Sequence, residues 1–146
     1  MGVGGPSAEL RFVGVVESSL AGKAEAPKQA DEGAPPATLR IAPEFTACCE
    51  GLHAGDEVLV LTWLDRADRD VQAVHPRGDT TRPLTGVFAT RAPVRPNPIG
   101  LHRVEIVAIS GGPGDPRALR VDALEALDGT PILDLKPVLD ADAGVR

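Results

Sequence analysis

Residues 86–101 read Gly86-Val87-Phe88-Ala89-Thr90-Arg91-Ala92-Pro93-Val94-Arg95-Pro96-Asn97-Pro98-Ile99-Gly100-Leu101. Three prolines and an asparagine fall within the six residues 93–98. Proline fixes φ, lacks a donor N–H and pushes the preceding residue out of the helical region, so this stretch cannot be a helix. Residues 84–91 alternate as a strand does, and residues 99–109 resume an apolar strand. The expected local structure is strand, stiff proline connection, strand, with Arg91 and Arg95 at the shoulders. A Pro-rich surface turn is the ordinary reading of such a loop. A rigid loop bearing two arginines is nevertheless a costly connector.

Outward from this segment, strand signals recur at hairpin-like spacing. Residues 10–17 are β-branched and nearly alternating, and residues 39–41 make a second short strand. Residues 43–51 run from Pro43 to Gly51, a proline start and glycine stop that bracket one or two helical turns. Residues 57–63 form the most apolar run and are expected to be central. Residues 65–70, Asp-Arg-Ala-Asp-Arg-Asp, read as a charged segment whose last part, 68–70, is a solvated turn. Residues 71–74, 118–124 and 132–136 complete the strands, with Asp128-Gly129-Thr130-Pro131 as a tight turn. Residues 22–37 form a long loop without apolar periodicity, which is either functional or disordered. Few helical stretches and many short strands imply a mainly β domain, an antiparallel barrel or sandwich.

The 146-residue length suits one domain with a real core, and at 3% aromatics with no tyrosine that core must be aliphatic. We expect a tail over 1–9, a domain over 10–138 and a second tail over 139–146. No apolar run approaches the roughly 20 residues of a membrane helix, and no signal pattern is present, so a cytoplasmic chain without membrane attachment is expected. Cys48 and Cys49 are adjacent and read as reduced, and the cysteines and His53, His75 and His102 lack metal-site spacing. The net charge of −6 argues against non-specific nucleic-acid binding. Even so, Arg77, Arg82, Arg91, Arg95 and Arg103 share a region where Asp79 is the only acid, and a local basic face is possible. No dinucleotide fingerprint, phosphate loop or nucleophile elbow occurs.

Residues 86–101 resemble a signature of the TsaA-like, or TrmO-type, family. Residues 124–137, Leu-Glu-Ala-Leu-Asp-Gly-Thr-Pro-Ile-Leu-Asp-Leu-Lys-Pro, resemble its second signature, and Ile41-Ala42-Pro43-Glu44 with Gly51-Leu52 a weaker third. The resemblance spans about 10–137. It implies a single-domain antiparallel β-barrel, a homodimer, and a methyltransferase using S-adenosyl-L-methionine, with no metal. The best-known family reaction is N6-methylation of threonylcarbamoyladenosine beside the tRNA anticodon.

Residue by residue, the resemblance implies cofactor contacts at Pro27, Lys28 and Gln29 in the long loop, which favours a lid. It implies others at Asp65 and Arg66, at Arg91 and Leu101, and at Leu124, Glu125, Ala126 and Leu127. Arg91 or Arg66 suits a carboxylate. Leu101 and Leu124 are expected to sandwich adenine, with its edge on backbone near Leu127. Asp128 or Asp65 is expected to favour a sulfonium or accept a proton; equally, Asp128 can simply make the turn and Leu124 simply fill the core. Three departures stand near the expected pocket: Asp65 replaces the usual histidine, His102 the usual serine, and Val138 the usual tyrosine. His102 is a candidate acid or base, though an exposed strand residue is the plainer expectation. The chain also ends at Arg146, short of the additional C-terminal domain of the bacterial tRNA enzymes. Two alternatives to tRNA methylation follow: methylation of a small molecule, and non-catalytic binding of S-adenosylmethionine.

Overall fold

The computed structural model describes residues 5–21, 33–112 and 115–139. The strands are β1 (Gly14–Glu17), β2 (Ala37–Ile41), β3 (Glu57–Trp63), β4 (Ala73–Val74), β5 (Thr85–Gly86), β6 (Ile99–Ser110), β7 (Arg117–Val121) and β8 (Pro131–Pro137). Six of them pair antiparallel in the closed order β1-β2-β7-β6-β3-β8, with β8 returning to β1, while β4 and β5 form a separate ribbon. The fold is therefore mainly β, as the strand pattern implies. The long strand β6 makes closure possible. Its first half pairs with β3 and its second half with β7, and the register shifts between Ile106 and Ala108. Such an irregularity bends a strand and lets it serve two neighbours at a barrel corner.

Alternation sorts the side chains. Val58, Val60 and Thr62 of β3 and Gly100, His102, Val104 and Ile106 of β6 are buried. With Val16, Leu39, Ile41, Leu119, Val121, Leu124 and Ile132 they build an almost wholly aliphatic interior. β-Branched residues suit this pleated, enclosed surface, and each such side chain contributes about 1.5–3 kcal/mol by leaving water. A 3-10 helix over Pro43–Cys49 follows β2 and packs Phe45 and Cys49 against the core. Because it leaves the C-terminal end of β2, it plugs one end of the barrel. The C-terminal ends of β1, β3 and β7 and the N-terminal ends of β2, β6 and β8 meet at the other.

Several sequence expectations change. Residues 84–91 are not a strand. Only Thr85–Gly86 pair, and a 3-10 turn over Val87–Ala89 follows, closed by the N–H and hydroxyl of Thr90, which both donate to the Val87 carbonyl at 3.0 Å. A threonine hydroxyl offers the backbone an alternative to the ladder. β1 begins at Gly14 rather than at residue 10, leaving Leu10 and Phe12 exposed. β7 ends at Val121, because the Asp122 carboxylate takes the N–H groups of Glu105 and Ala123, each at 2.9 Å. Leu124 thus lies outside the strand. The turn at 68–70 is not merely solvated. Arg69 donates to the Pro96 carbonyl at 2.7 Å and Asn97 Oδ1 at 3.0 Å, and its guanidinium stacks over Trp63 at 5.2 Å. It clamps the proline loop to the exit of β3.

Candidate functional site at the open end of the barrel

The antiparallel order brings the exit of β3, the entry to β6 and the segment before β8 to one end of the barrel. Residues 124–130 fold there as a compact turn. The Asp128 N–H donates to the Leu20 carbonyl at 2.7 Å, the Gly129 N–H to the Val16 carbonyl at 2.8 Å, and the Thr130 hydroxyl to the Leu127 carbonyl at 2.7 Å. Gly129 has φ +86°, a conformation that glycine adopts without steric cost. Asp128 Oδ1 accepts the Ser18 N–H at 3.0 Å, so this carboxylate fastens the turn to the end of β1. Arg66 reaches across from the β3 exit and donates to the Asp128 carbonyl at 3.3 Å. Arg66 and Asp128 are therefore brought together, although 62 residues separate them in sequence.

Asp65 is exposed at the start of the same turn, its N–H bonded to the Trp63 carbonyl at 2.9 Å. Arg91 is exposed on the loop that leads into β6. Ser18, Ser19, Pro35, Pro36, Thr38, Glu17 and Arg120 line a cavity of about 330 Å³ at the same end, and the Pro35 carbonyl accepts the Leu124 N–H at 2.9 Å. This cavity lies at the two roots of the 22–37 loop. Pro27, Lys28 and Gln29, and with them the expected lid, lie outside the described residues.

The two leucines of the expected adenine sandwich are not brought together. Leu124 is wholly buried in the core with Ala126 beside it at 4% exposure, whereas Leu101 is half-buried on the face of β6 opposite His102. The two leucines stand on opposite sides of the sheet. Leu127 is half-buried and supplies the carbonyl that Thr130 holds. The Arg95 guanidinium turns back on its own loop and donates to the carbonyls of Thr90 at 3.1 Å and Ala92 at 2.8 Å. Arg103 is engaged by both carboxylate oxygens of Glu57, at 3.0 and 3.1 Å. That guanidinium holds Glu57 below the usual carboxylate range, chiefly through the hydrogen bond. The basic face expected from five arginines is thus reduced to Arg77, Arg82 and Arg91 as exposed members.

His102 is not an exposed strand residue. It is 6% exposed inside the barrel, its Nε2 lies 2.8 Å from Thr62 Oγ1, and its Nδ1 lies 3.4 Å from Glu125 Oε1. Thr62 is the member of this group that the sequence reading missed. A threonine inside an otherwise Val-Leu strand is a visible signal, but its partner is 40 residues away. Among the described residues no group of three His, Cys, Asp or Glu side chains is placed to hold a metal, and no helix is long and apolar enough to cross a membrane.

The family described as "tRNA-methyltransferase O N-terminal domain" matches residues 15–143. A "Probable S-adenosyl-L-methionine-binding protein" of Methanothermobacter thermautotrophicus is 41% identical over 128 residues, 88% of each chain. An "S-adenosyl-L-methionine-binding protein" of Archaeoglobus fulgidus is 38% identical over 130 residues, covering 87% of this chain and 86% of its own. A crystal structure of TrmO from Pseudomonas aeruginosa superposes with TM-score 0.69 at 30% identity, covering 97% of this chain and 61% of that one. Another TrmO crystal structure gives TM-score 0.72 at 31% identity, with 97% and 63% covered. The chain thus spans about three fifths of these solved structures.

Proposed function

The chain belongs to the tRNA-methyltransferase O N-terminal domain family, and from that membership we propose that it is an S-adenosyl-L-methionine-dependent methyltransferase acting on N6 of threonylcarbamoyladenosine in tRNA, next to the anticodon. The single observation that carries the site is the convergence of Arg66 on the Asp128–Gly129 turn at one barrel end. S-adenosylmethionine supplies an electrophilic methyl group when bound. The donor set fits it. Arg66 and Arg91 are guanidinium groups suited to a carboxylate, Glu125 and Asp65 are acids suited to its cationic and N–H groups, and residues 124–127 complete the wall.

The chain's own part in the reaction is positioning. Methyl transfer needs in-line alignment above all, and a stiff loop, stapled internally by Arg95 and externally by Arg69, loses little freedom on binding. Asp128 holds its turn through Ser18; Asp65, exposed beside Arg66, is the better placed acid to receive a proton from the acceptor. We place the enzyme in the cytoplasm as a homodimer. The half-buried or exposed Leu61, Trp63, Ile99 and Leu101 on the outer face of β3 and β6 support the dimer.

The test is incubation of the purified protein with labelled cofactor and total tRNA from a deletion strain, followed by nucleoside mass spectrometry. A labelled N6-methylated nucleoside is expected, and no transfer to tRNA would overturn the acceptor. Binding to tRNA should weaken steeply with salt. The internal engagement of Arg95 and Arg103 favours a second reading, a small-molecule acceptor, which predicts turnover in an RNA-free extract. A third, binding without catalysis, is favoured by the names of the relatives and by the attachment of Asp128 to Ser18. It is refuted by any turnover that Arg91→Ala abolishes.

A further inference from the structure

Thr62, His102 and Glu125 form a line of polar side chains in an otherwise aliphatic interior. Thr62 is wholly buried, His102 is 6% exposed and the Glu125 side chain 21%. The line is built tightly. Gly100 lies beneath it, and a Cβ there would come within 2.3 Å of Thr62 Oγ1 and 2.7 Å of His102 Nε2. His102 Nδ1 makes no hydrogen bond within ordinary distance among the described residues, and Glu125 Oε2 is buried with no hydrogen-bond partner there.

Proton placement follows from these contacts. A neutral imidazole has one N–H and one lone pair. With the proton on Nε2, the Nδ1 lone pair would face the Glu125 carboxylate across 3.4 Å, acceptor against acceptor. With the proton on Nδ1, a donor faces the Glu125 carboxylate across the same 3.4 Å, and the Thr62 hydroxyl donates to Nε2. The second arrangement matches donor to acceptor at both contacts. Glu125 Oε1 then faces a donor, and Oε2 is the atom still lacking one. A buried carboxylate oxygen without a donor is costly, and at the open end of the barrel a ligand N–H offsets that cost.

We propose that Thr62 and His102 are positioning residues that fix the Glu125 carboxylate, so that Glu125 Oε2 accepts a hydrogen bond from an N–H group of the bound cofactor. This rests on the cofactor reading above. S-adenosylmethionine offers two such groups, the α-ammonium and the adenine amino group, and the shared chemistry is that of a nitrogen donor meeting a carboxylate.

The experiment is calorimetry of S-adenosylhomocysteine binding to the wild type and to Glu125→Gln, Thr62→Val and Thr62→Ser, each first shown to be folded by thermal denaturation. Glu125→Gln should weaken binding at least tenfold, Thr62→Val several-fold, and Thr62→Ser should restore wild-type affinity. Methylthioadenosine, which keeps the adenine amino group and lacks the α-ammonium, separates the two donors. An effect of Glu125→Gln that persists with it assigns adenine, and one that vanishes assigns the ammonium. Nitrogen-15 spectra of His102 should show the Nδ1–H tautomer in the wild type and a changed one in Thr62→Val. An Nε2–H tautomer, or a Glu125→Gln protein that binds the homocysteine analogue as tightly as the wild type, overturns the proposal and leaves the cofactor reading standing. A wild-type protein that binds neither the cofactor nor the analogue overturns both.

Discussion

Gly100→Ala is the most informative single change to the fold. Its methyl group would stand 2.3 Å from Thr62 Oγ1, 2.7 Å from His102 Nε2 and 3.3 Å from His102 Cε1. Neither neighbour is a flexible tip at the surface: Thr62 is wholly buried and His102 is 6% exposed. To admit the methyl group, their 2.8 Å hydrogen bond must break or the two strands must part. Forcing a methyl group into a packed interior costs about 1–3 kcal/mol, and stranding the buried pair costs about 1–3 kcal/mol more. Replacing glycine in a strand returns about 0.5–1 kcal/mol. The clash wins, with a net loss of about 1–5.5 kcal/mol, or roughly 4–22 °C at about 4 °C per kcal/mol for a domain of this size. Thermal and urea denaturation read it directly. The same substitution in a Thr62→Ala background should cost less, with a coupling of about 0.5–3 kcal/mol. A Gly100→Ala protein within about 0.5 kcal/mol of the wild type, or a coupling of zero, would refute the packing described for this end of the barrel.

Arg69→Lys should loosen the proline loop, because an ammonium cannot reproduce a planar fork that holds Pro96 and Asn97 while stacking on Trp63. We expect faster hydrogen exchange at the Arg95 amide, which bonds the Asp68 carbonyl at 3.2 Å, and a stability loss of about 0.5–1.5 kcal/mol; unchanged protection would count against the clamp. Cys48 is exposed and Cys49 buried, and burial raises the Cys49 thiol above its ordinary value. A thiol reagent should modify Cys48 in the native protein and Cys49 only on unfolding. Because the unfolded thiol ionises first, this contribution to stability is full below the ordinary thiol pKa and is lost as pH rises toward the raised one. Glu57 has the opposite sign. Its pKa is depressed by Arg103, so its contribution is present above the ordinary carboxylate value and lost as pH falls through the lowered one. Glu57→Gln should flatten the acid limb of a stability–pH curve, and an unaltered acid limb would show the pair to be inert.

The chain's periodicity determined its class and most of its strands. Residues 57–63 are a strand with the bounds their apolar run implies, and Pro131–Pro137 extends the expected 132–136 by a residue at each end. The Asp-Gly-Thr-Pro turn and the proline segment were equally legible, because glycine and proline act on the backbone within a residue or two. What remained hidden depends on pairing between distant residues. Period-two alternation says that Leu101 and His102 point to opposite faces, but only closure of β8 onto β1 says which face is the interior. That choice buries His102, removes Leu101 from the neighbourhood of Leu124, and sets Glu125 against the imidazole. Likewise Arg95 and Arg103 read as surface charges in sequence, and only the folded loop shows the carbonyls and the Glu57 carboxylate that hold them. Local chemistry fixed the elements; long-range register decided which polar groups meet inside the barrel and which remain for a ligand.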